Sequence, residues 1–147
     1  MVNINMRSIL VLNSKGGSGK TTIATNLASF FASIGKSVAL VDLDAQQSSI
    51  SWLKARSSAK PPIIGIKGYG EKVKRGVDYK IIDAPAGLQG AALTKVLNMA
   101  ESVIIPVLPS PIDMRAAEDF IKNIKKHSRV VKKKSKIALV ANRGRDY

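Results

Sequence analysis

Two kinds of hydrophobic segment alternate along the chain. Short, nearly continuous apolar runs lie at Arg7 to Leu12, Ser37 to Leu43, Tyr79 to Asp83, Val103 to Leu108 and Lys136 to Ala141. Unbroken apolar character over strand length marks strands covered on both faces. Between them, apolar residues recur at helical spacing. Ile23, Leu27, Phe30, Phe31 and Ile34 predict a helix from Gly19 to Ile34, with Gly35 as its left-handed stop. Ser48 to Arg56 predicts a second helix, with Trp52 read as a core aromatic, and Gly90 to Ala100 a third. Ile112 to Arg129 predicts a fourth, with Ala117, Phe120, Ile121 and Ile124 as its buried stripe. Residues 57–77 are rich in glycine and read as loop, with one short strand at Ile63 to Ile66. Pro106 removes a ladder donor from its run, so a bulge or a missing bond is expected there. The alternation of strands and helices predicts an α/β fold, a three-layer α/β/α sandwich on a mostly parallel, twisted sheet.

Candidate chemistry sits at the ends of the strands. Between the first strand and the first helix stands Asn13-Ser-Lys-Gly-Gly-Ser-Gly-Lys-Thr-Thr22. Glycines in a strand-to-helix turn let the backbone approach a ligand closely, and the N–H groups of the helix start favour an anion. Gly16, Gly17, Ser18, Gly19, Lys20, Thr21 and Thr22 therefore read as a phosphate-binding loop. Lys20 would reach the β- and γ-phosphates of a nucleotide, and the Thr21 hydroxyl would ligate Mg²⁺. Ser14 stands where the usual G-x-x-x-x-G-K-[ST] pattern has its first glycine, and Lys15 is an additional lysine inside the loop.

Carboxylates close two strands. Asp42 and Asp44, spaced i and i+2, end the second strand at the side where α/β sheets form their ligand crevice. A single acid there would read as a helix cap; two suggest a metal or water site. Asp83 ends another apolar strand, an arrangement that holds a Mg²⁺-bound water near a γ-phosphate. The following Ala-Pro-Ala-Gly would let the Gly87 N–H approach the same phosphate.

Composition then narrows the class. The chain has 147 residues, 45% of them hydrophobic, which suits one globular domain spanning 1–147. It has no cysteine, so disulfides, thiolate chemistry and Cys-ligated metals are excluded, and its one histidine, His127, reads as a surface residue. No apolar run approaches membrane-spanning length, and no signal peptide is apparent, so a soluble, cytoplasmic protein without a membrane partner is expected. The formal net charge is +14, which favours polyanionic partners. Much of it is concentrated: Lys122, Lys125, Lys126, Arg129, Lys132, Lys133, Lys134 and Lys136 are eight basic residues in a span without an acid. The first four repeat the helical spacing of the apolar stripe five residues later, a rotation of about 140°, which places them nearly opposite the buried face. They read either as a DNA-phosphate contact or as a solvated lysine face.

Lys15-Gly-Gly-Ser-Gly-Lys20-Thr-Thr resembles the deviant Walker A box of the ParA/MinD family of P-loop ATPases, in which the early lysine is the hallmark. Asp42-Leu-Asp44-Ala-Gln46 resembles that family's Asp-x-Asp-Pro-Gln switch, with Ala45 in place of the proline. Val103-Ile-Ile-Pro-Val-Leu-Pro-Ser-Pro-Ile-Asp113 resembles a stretch of small, ParF-like plasmid-partition ParA proteins. The resemblance implies that the Asp83 strand lies beside the phosphate-loop strand, with the Asp42 strand beyond it. It implies that Lys15 reaches the partner subunit's nucleotide in an ATP-bound homodimer, that Asp44 orients the attacking water and that Asp42 supports the Mg²⁺ shell. It implies that Asn142 reads the adenine edge and that the neighbouring Arg143 lies along the base. Family members usually continue for a further sixty or so residues, so the chain reads as the core of such a protein.

The expected function is a ParA-type ATPase, binding ATP and Mg²⁺, nucleoid-associated through non-specific duplex DNA, and driven by a small DNA-binding or cargo-adaptor partner. No residue resembles a strong general base, so slow, partner-stimulated hydrolysis is expected. Three rivals stand beside it: a MinD-like membrane-positioning ATPase, a ligase on the same fold, and a hydrolysis-deficient DNA-binding member.

Overall fold

The structure is a computed structural model and describes residues 5–127 and 135–144. Among these residues, six strands form one sheet: β1 (Arg7–Val11), β2 (Val38–Asp42), β3 (Ile64–Lys67), β4 (Tyr79–Asp83), β5 (Ser102–Val107) and β6 (Lys136–Ala141). Four helices connect them: α1 (Lys20–Ser33), α2 (Ser48–Ala55), α3 (Gly90–Leu97) and α4 (Pro111–Lys125). The order across the sheet is β3-β2-β4-β1-β5-β6, and every pairing is parallel. The Asp83 strand thus lies beside the glycine-loop strand with the Asp42 strand beyond it, as expected. Parallel register brings Asp42 opposite Asp83.

The continuous apolar runs have the predicted cause. Alternate residues of each central strand feed two separate cores: Val38, Leu40, Ile81 and Val11 face one layer, while Ala39, Val41, Ile82 and Leu10 face the other. The first layer is closed by α1, the second by Leu93, Val96 and Leu97 of α3 and Phe120 and Ile124 of α4.

On α1 the sheet-facing residues are small. Ala24, Ala28 and Ala32 are buried, whereas Phe30 and Ile34 are 56% and 53% exposed. Of the large apolar residues whose spacing predicts this helix, Ile23, Leu27 and Phe31 pack beside the alanines against the core, and Phe30 and Ile34 lie outside it. Alanine at every fourth position lets the helix axis come close to the strands, which a row of Leu or Phe would prevent. Gly35 ends α1 at φ 81°, and Lys36 N–H donates to Phe31 O at 3.0 Å, the expected left-handed stop.

Pro106 causes no bulge. The β5–β6 register runs unbroken from Ser102 to Val107. Backbone polar groups alternate sides along a strand, and Ile104 O faces β1, where it accepts from Leu12 N–H at 2.9 Å. Pro106 therefore also faces β1, but beyond the last β1–β5 pair, Val11 with Ile104, so its missing N–H breaks no ladder bond. His127 is half-buried, not a free surface residue: its Nδ1 lies 2.9 Å from Thr94 Oγ1. Helix α4 ends at Lys125, four residues short of the expected Arg129, which lies with Lys132, Lys133 and Lys134 outside the described residues. Among the described residues, no helix is long and apolar enough to cross a membrane.

Candidate nucleotide-binding site

The loop from Asn13 to Gly19 leaves β1 and enters α1 at the C-terminal edge of the sheet. Gly19 takes φ 92° as the residue preceding α1, and Gly17 takes φ 76°. This left-handed conformation favours glycine, and a Cβ on Gly19 would also push the Asn142 side-chain amide from its place. At Gly16 and Gly17 a Cβ would meet nothing within 4 Å, which leaves that stretch of backbone open towards the cleft.

Two side-chain amides anchor the loop. Asn13 Nδ2 donates to Pro106 O at 2.7 Å, while Asn13 Oδ1 accepts from Ser14 N–H at 2.7 Å. Asn142, just past β6, donates from Nδ2 to Ser18 O at 2.9 Å and accepts at Oδ1 from Arg143 N–H at 3.1 Å. One N–H and one lone pair of the Asn142 amide are thus engaged, which fixes its orientation and leaves a second N–H and a second lone pair for another partner.

The loop floors a cleft of about 470 Å³. Gly16, Gly17, Gly19, Lys20, Thr21 and Thr22 supply one side; Asp44 and Gln46 from the turn after β2 and Ser48 at the start of α2 supply another, with Ala86 and Arg143 completing the lining. Lys20 is only 8% exposed, so its charge is concentrated in the cleft wall. Ser18 Oγ is buried and has no hydrogen-bond partner among the described residues. Gly87 N–H donates to Asn13 O at 3.4 Å with Gly87 at φ 70°, which brings the segment after Asp83 against the loop.

Beneath the loop the buried carboxylates are tied to both helices. Thr21 Oγ1 donates to Asp83 Oδ2 at 2.7 Å. Burial pushes the Asp83 carboxyl above the usual carboxylate range; the hydroxyls of Ser49 and Thr21 and the charge of Lys20 oppose this, while Asp42 adds to it. Asp42 holds the turn after β2 and the start of α2: Oδ1 accepts from Asp44 N–H and Oδ2 from Ile50 N–H, both at 3.1 Å. Asp44 Oδ1 accepts from Gln46 N–H at 2.9 Å, an Asx turn that shapes the segment where Ala45 replaces proline.

Lys15 does not line the cleft. Its ammonium pairs with Asp113 Oδ1 at the start of α4. Ser110 caps that helix by accepting from Asp113 N–H at 3.1 Å, and its hydroxyl donates back to Asp113 Oδ2. Lys15 first, and then Ser110, hold the Asp113 carboxyl below its usual range. The Ser110-x-x-Asp113 spacing is a readable capping signal. Asn13, Ser49 and Asp113 are the site residues that sequence reasoning passed over, and nothing in the local pattern marked Ser49 or Asn13.

The basic stripe is partly described. Lys122, Lys125 and Lys126 are exposed, opposite the buried Ala117, Phe120 and Ile124. Lys122 lies 3.8 Å from Asp119, with both side chains more than 70% exposed, a pair worth little in water.

The donor set fits a magnesium-bound nucleoside triphosphate. Open glycine backbone, a buried lysine and a hydroxyl backed by a carboxylate match phosphate and Mg²⁺, which takes few protein ligands and keeps water and phosphate oxygens. Among the described residues, no group of three or more His, Cys, Asp or Glu side chains that could hold a metal ion occurs.

Residues 9–146 match the family described as the CobQ/CobB/MinD/ParA nucleotide binding domain. The chain is 32% identical over 144 residues to the maintenance of carboxysome distribution protein A of Halothiobacillus neapolitanus, covering 92% of this chain and 65% of that protein. It therefore spans just under two thirds of that relative's length. In fold it resembles a plasmid partition protein from Borrelia burgdorferi (TM-score 0.73, 18% identity, 97% of this chain and 80% of that one). It also resembles pNOB8 ParA bound to nonspecific DNA (TM-score 0.65, 20% identity, 81% and 59%).

Proposed function

Because this chain belongs to the family of CobQ/CobB/MinD/ParA nucleotide-binding domains, we propose that it is a ParA-type ATPase. In this reading ATP closes two copies into a dimer, and hydrolysis releases them, so that a plasmid, a chromosome or a protein cargo is positioned over DNA. The observation that carries the reading is convergence: the glycine loop, the Thr21–Asp83 pair and the Asp44 turn meet at one cleft. The names of the relatives support the cargo-positioning part, one for carboxysome distribution and one for plasmid partition.

In this mechanism the backbone of Gly16, Gly17 and Gly19 cradles the phosphates, and Lys20 binds the β- and γ-phosphate oxygens. Thr21, with Asp83 behind it, would hold Mg²⁺, which supplies charge neutralisation at those oxygens. Asp42 fixes the switch turn so that Asp44 faces the cleft and orients water for attack on the γ-phosphate. Arg143 in the cleft lining lies along the base. Turnover is slow without a stimulating partner, since no strong general base faces the cleft.

Lys15 acts on the nucleotide of the second copy, and to do so it gives up Asp113. Lys15→Ala is therefore expected to bind ATP as a monomer. Light scattering with and without ATP checks this; an ATP-dependent dimer of normal strength would remove Lys15 from the interface.

The basic stripe contacts duplex DNA through phosphates, without sequence preference, and nucleoid association follows. The solved ParA bound to nonspecific DNA supports this reading. If about five phosphates are neutralised, log K falls against log salt with a slope of roughly −4 to −5. Reversing Lys125, Lys126 and Arg129 to glutamate should lower affinity for random duplex and flatten that slope. Unchanged binding at low salt would return the stripe to a role in solubility.

A further inference from the structure

Helix α2 is fastened to both buried carboxylates through its first turn. Ser49, fully buried, donates its hydroxyl to Asp83 Oδ2 at 2.6 Å. The next residue, Ile50, donates its N–H to Asp42 Oδ2 at 3.1 Å. Asp42 and Asp83 are register partners on adjacent strands, so the two contacts bolt α2 across the β2–β4 pair. A serine in the first turn of a helix ordinarily caps the backbone or faces solvent. This one does neither. It shares one carboxylate oxygen with Thr21 Oγ1, which donates to Asp83 Oδ2 at 2.7 Å from the opposite helix. A single oxygen atom therefore joins the start of α1, the end of β4 and the start of α2.

That junction has a consequence when the cleft fills. Thr21 is the side chain that would turn its hydroxyl oxygen to a divalent cation, because an oxygen ligating a metal points a lone pair at it. Its proton points at Asp83 Oδ2, so one hydroxyl can hold the carboxylate while a lone pair faces the cation position. Of the two hydroxyls on that oxygen, Thr21 is the one that would ligate the cation and Ser49 the one that would not, so Asp83 links the cation position to α2. Any reorientation of the Asp83 carboxylate on binding is then passed to α2 through a short, charge-assisted bond with no solvent to absorb it. We propose that Ser49 is a positioning residue that couples occupancy of the Thr21–Asp83 pair by a divalent cation and phosphate to the position of α2. The coupling rests on the nucleotide-binding reading above. Its outlet is the face of α2 that carries Trp52, half-buried against the core beneath α1, with the Arg56 guanidinium 5.4 Å from its ring centroid and also 3.2 Å from Ser29 Oγ on α1.

Trp52 is the chain's one tryptophan, so its emission reports α2 without any label. The experiment compares the parent chain, Ser49→Ala and Ser49→Thr, each titrated with a non-hydrolysable ATP analogue in Mg²⁺ and again in EDTA. Calorimetry measures nucleotide binding separately in the same samples. The expected result is a Mg²⁺-dependent change of Trp52 emission in the parent chain, its loss in Ser49→Ala although nucleotide still binds, and its return in Ser49→Thr, which keeps the hydroxyl. A full-amplitude emission change in Ser49→Ala overturns the coupling, as does a parent chain that binds Mg²⁺–nucleotide with no change at Trp52. If the parent chain binds no nucleotide by calorimetry, it is the cleft reading that fails. Should Ser49→Ala not fold, Ser49→Cys takes its place: it nearly conserves volume but donates weakly, and parent-like amplitude there overturns the proposal equally.

Discussion

Lys20→Ala binds ATP roughly two orders of magnitude more weakly than the parent chain, or not measurably. Charge-assisted hydrogen bonds contribute about 1.5–3 kcal/mol each, and this ammonium is placed to make more than one to the phosphates. Two such bonds correspond to about 3 kcal/mol or more, and each 1.4 kcal/mol is a factor of ten in affinity. Lys20 is 8% exposed in the cleft wall, so water does not screen its charge as it would on the surface. The other loop lysine offers no substitute in its own cleft, which Lys15 does not line. Lys20 also lowers the Asp83 carboxyl that burial raises, so its removal disturbs the cation position as well. Binding of labelled ATP to the purified variant is the measurement. Parent-like affinity would show that phosphates do not sit in this loop.

Replacing Asp44 leaves nucleotide bound and stops its hydrolysis. Asp44 stands across the cleft from Lys20, on the turn after β2. A negative group there gains nothing from a triphosphate in the ground state, so its use is on the attacking water. Positioned acid–base and water-orienting groups contribute roughly 10²- to 10⁴-fold, and a loss of that order in phosphate release is expected for Asp44→Ala. Asp44 also shapes its own turn by accepting from Gln46 N–H at 2.9 Å. Asp44→Asn separates the two roles, since the amide oxygen can still accept that bond while the charge is gone. If Asp44 acts on water, both variants lose hydrolysis and keep ATP. If Asp44→Asn hydrolyses normally, the residue serves the turn alone, and weakened ATP binding in both variants would place it in the binding shell.

Much of the fold was legible because strands buried on both faces must be apolar at every position. Val38 to Val41 shows this: alternate residues enter opposite cores, so no polar position interrupts the run. The glycine loop was legible for a different reason. Left-handed backbone at Gly17 and Gly19 and open backbone at Gly16 are local demands, and glycine answers them locally. Helix α1 was legible from the spacing of its large apolar residues, of which Ile23, Leu27 and Phe31 pack at the edge of the core while Phe30 and Ile34 are exposed. The fully buried face is made of Ala24, Ala28 and Ala32, because closeness to the sheet is a property of the packed pair and not of the helix.

By itself, the sequence determined where the strands and helices lie, that a glycine-rich loop joins the first of them, and that acids close β2 and β4. These depend on near neighbours: periodicity, turn conformation and the character of a strand's last residue. Only the tertiary structure decided which of those groups meet. Asn13 bonds a carbonyl 93 residues away, Thr21 a carboxylate 62 residues away, Ser49 the same carboxylate 34 residues away, and Asn142 a carbonyl 124 residues away. Lys15 pairs with Asp113 because the order β4-β1-β5 sets the loop after β1 beside the start of α4. Such contacts leave no periodic trace, since each is a single polar residue whose partner is chosen by strand order. The same strand order made Pro106 harmless, by placing its missing N–H beyond the end of β1.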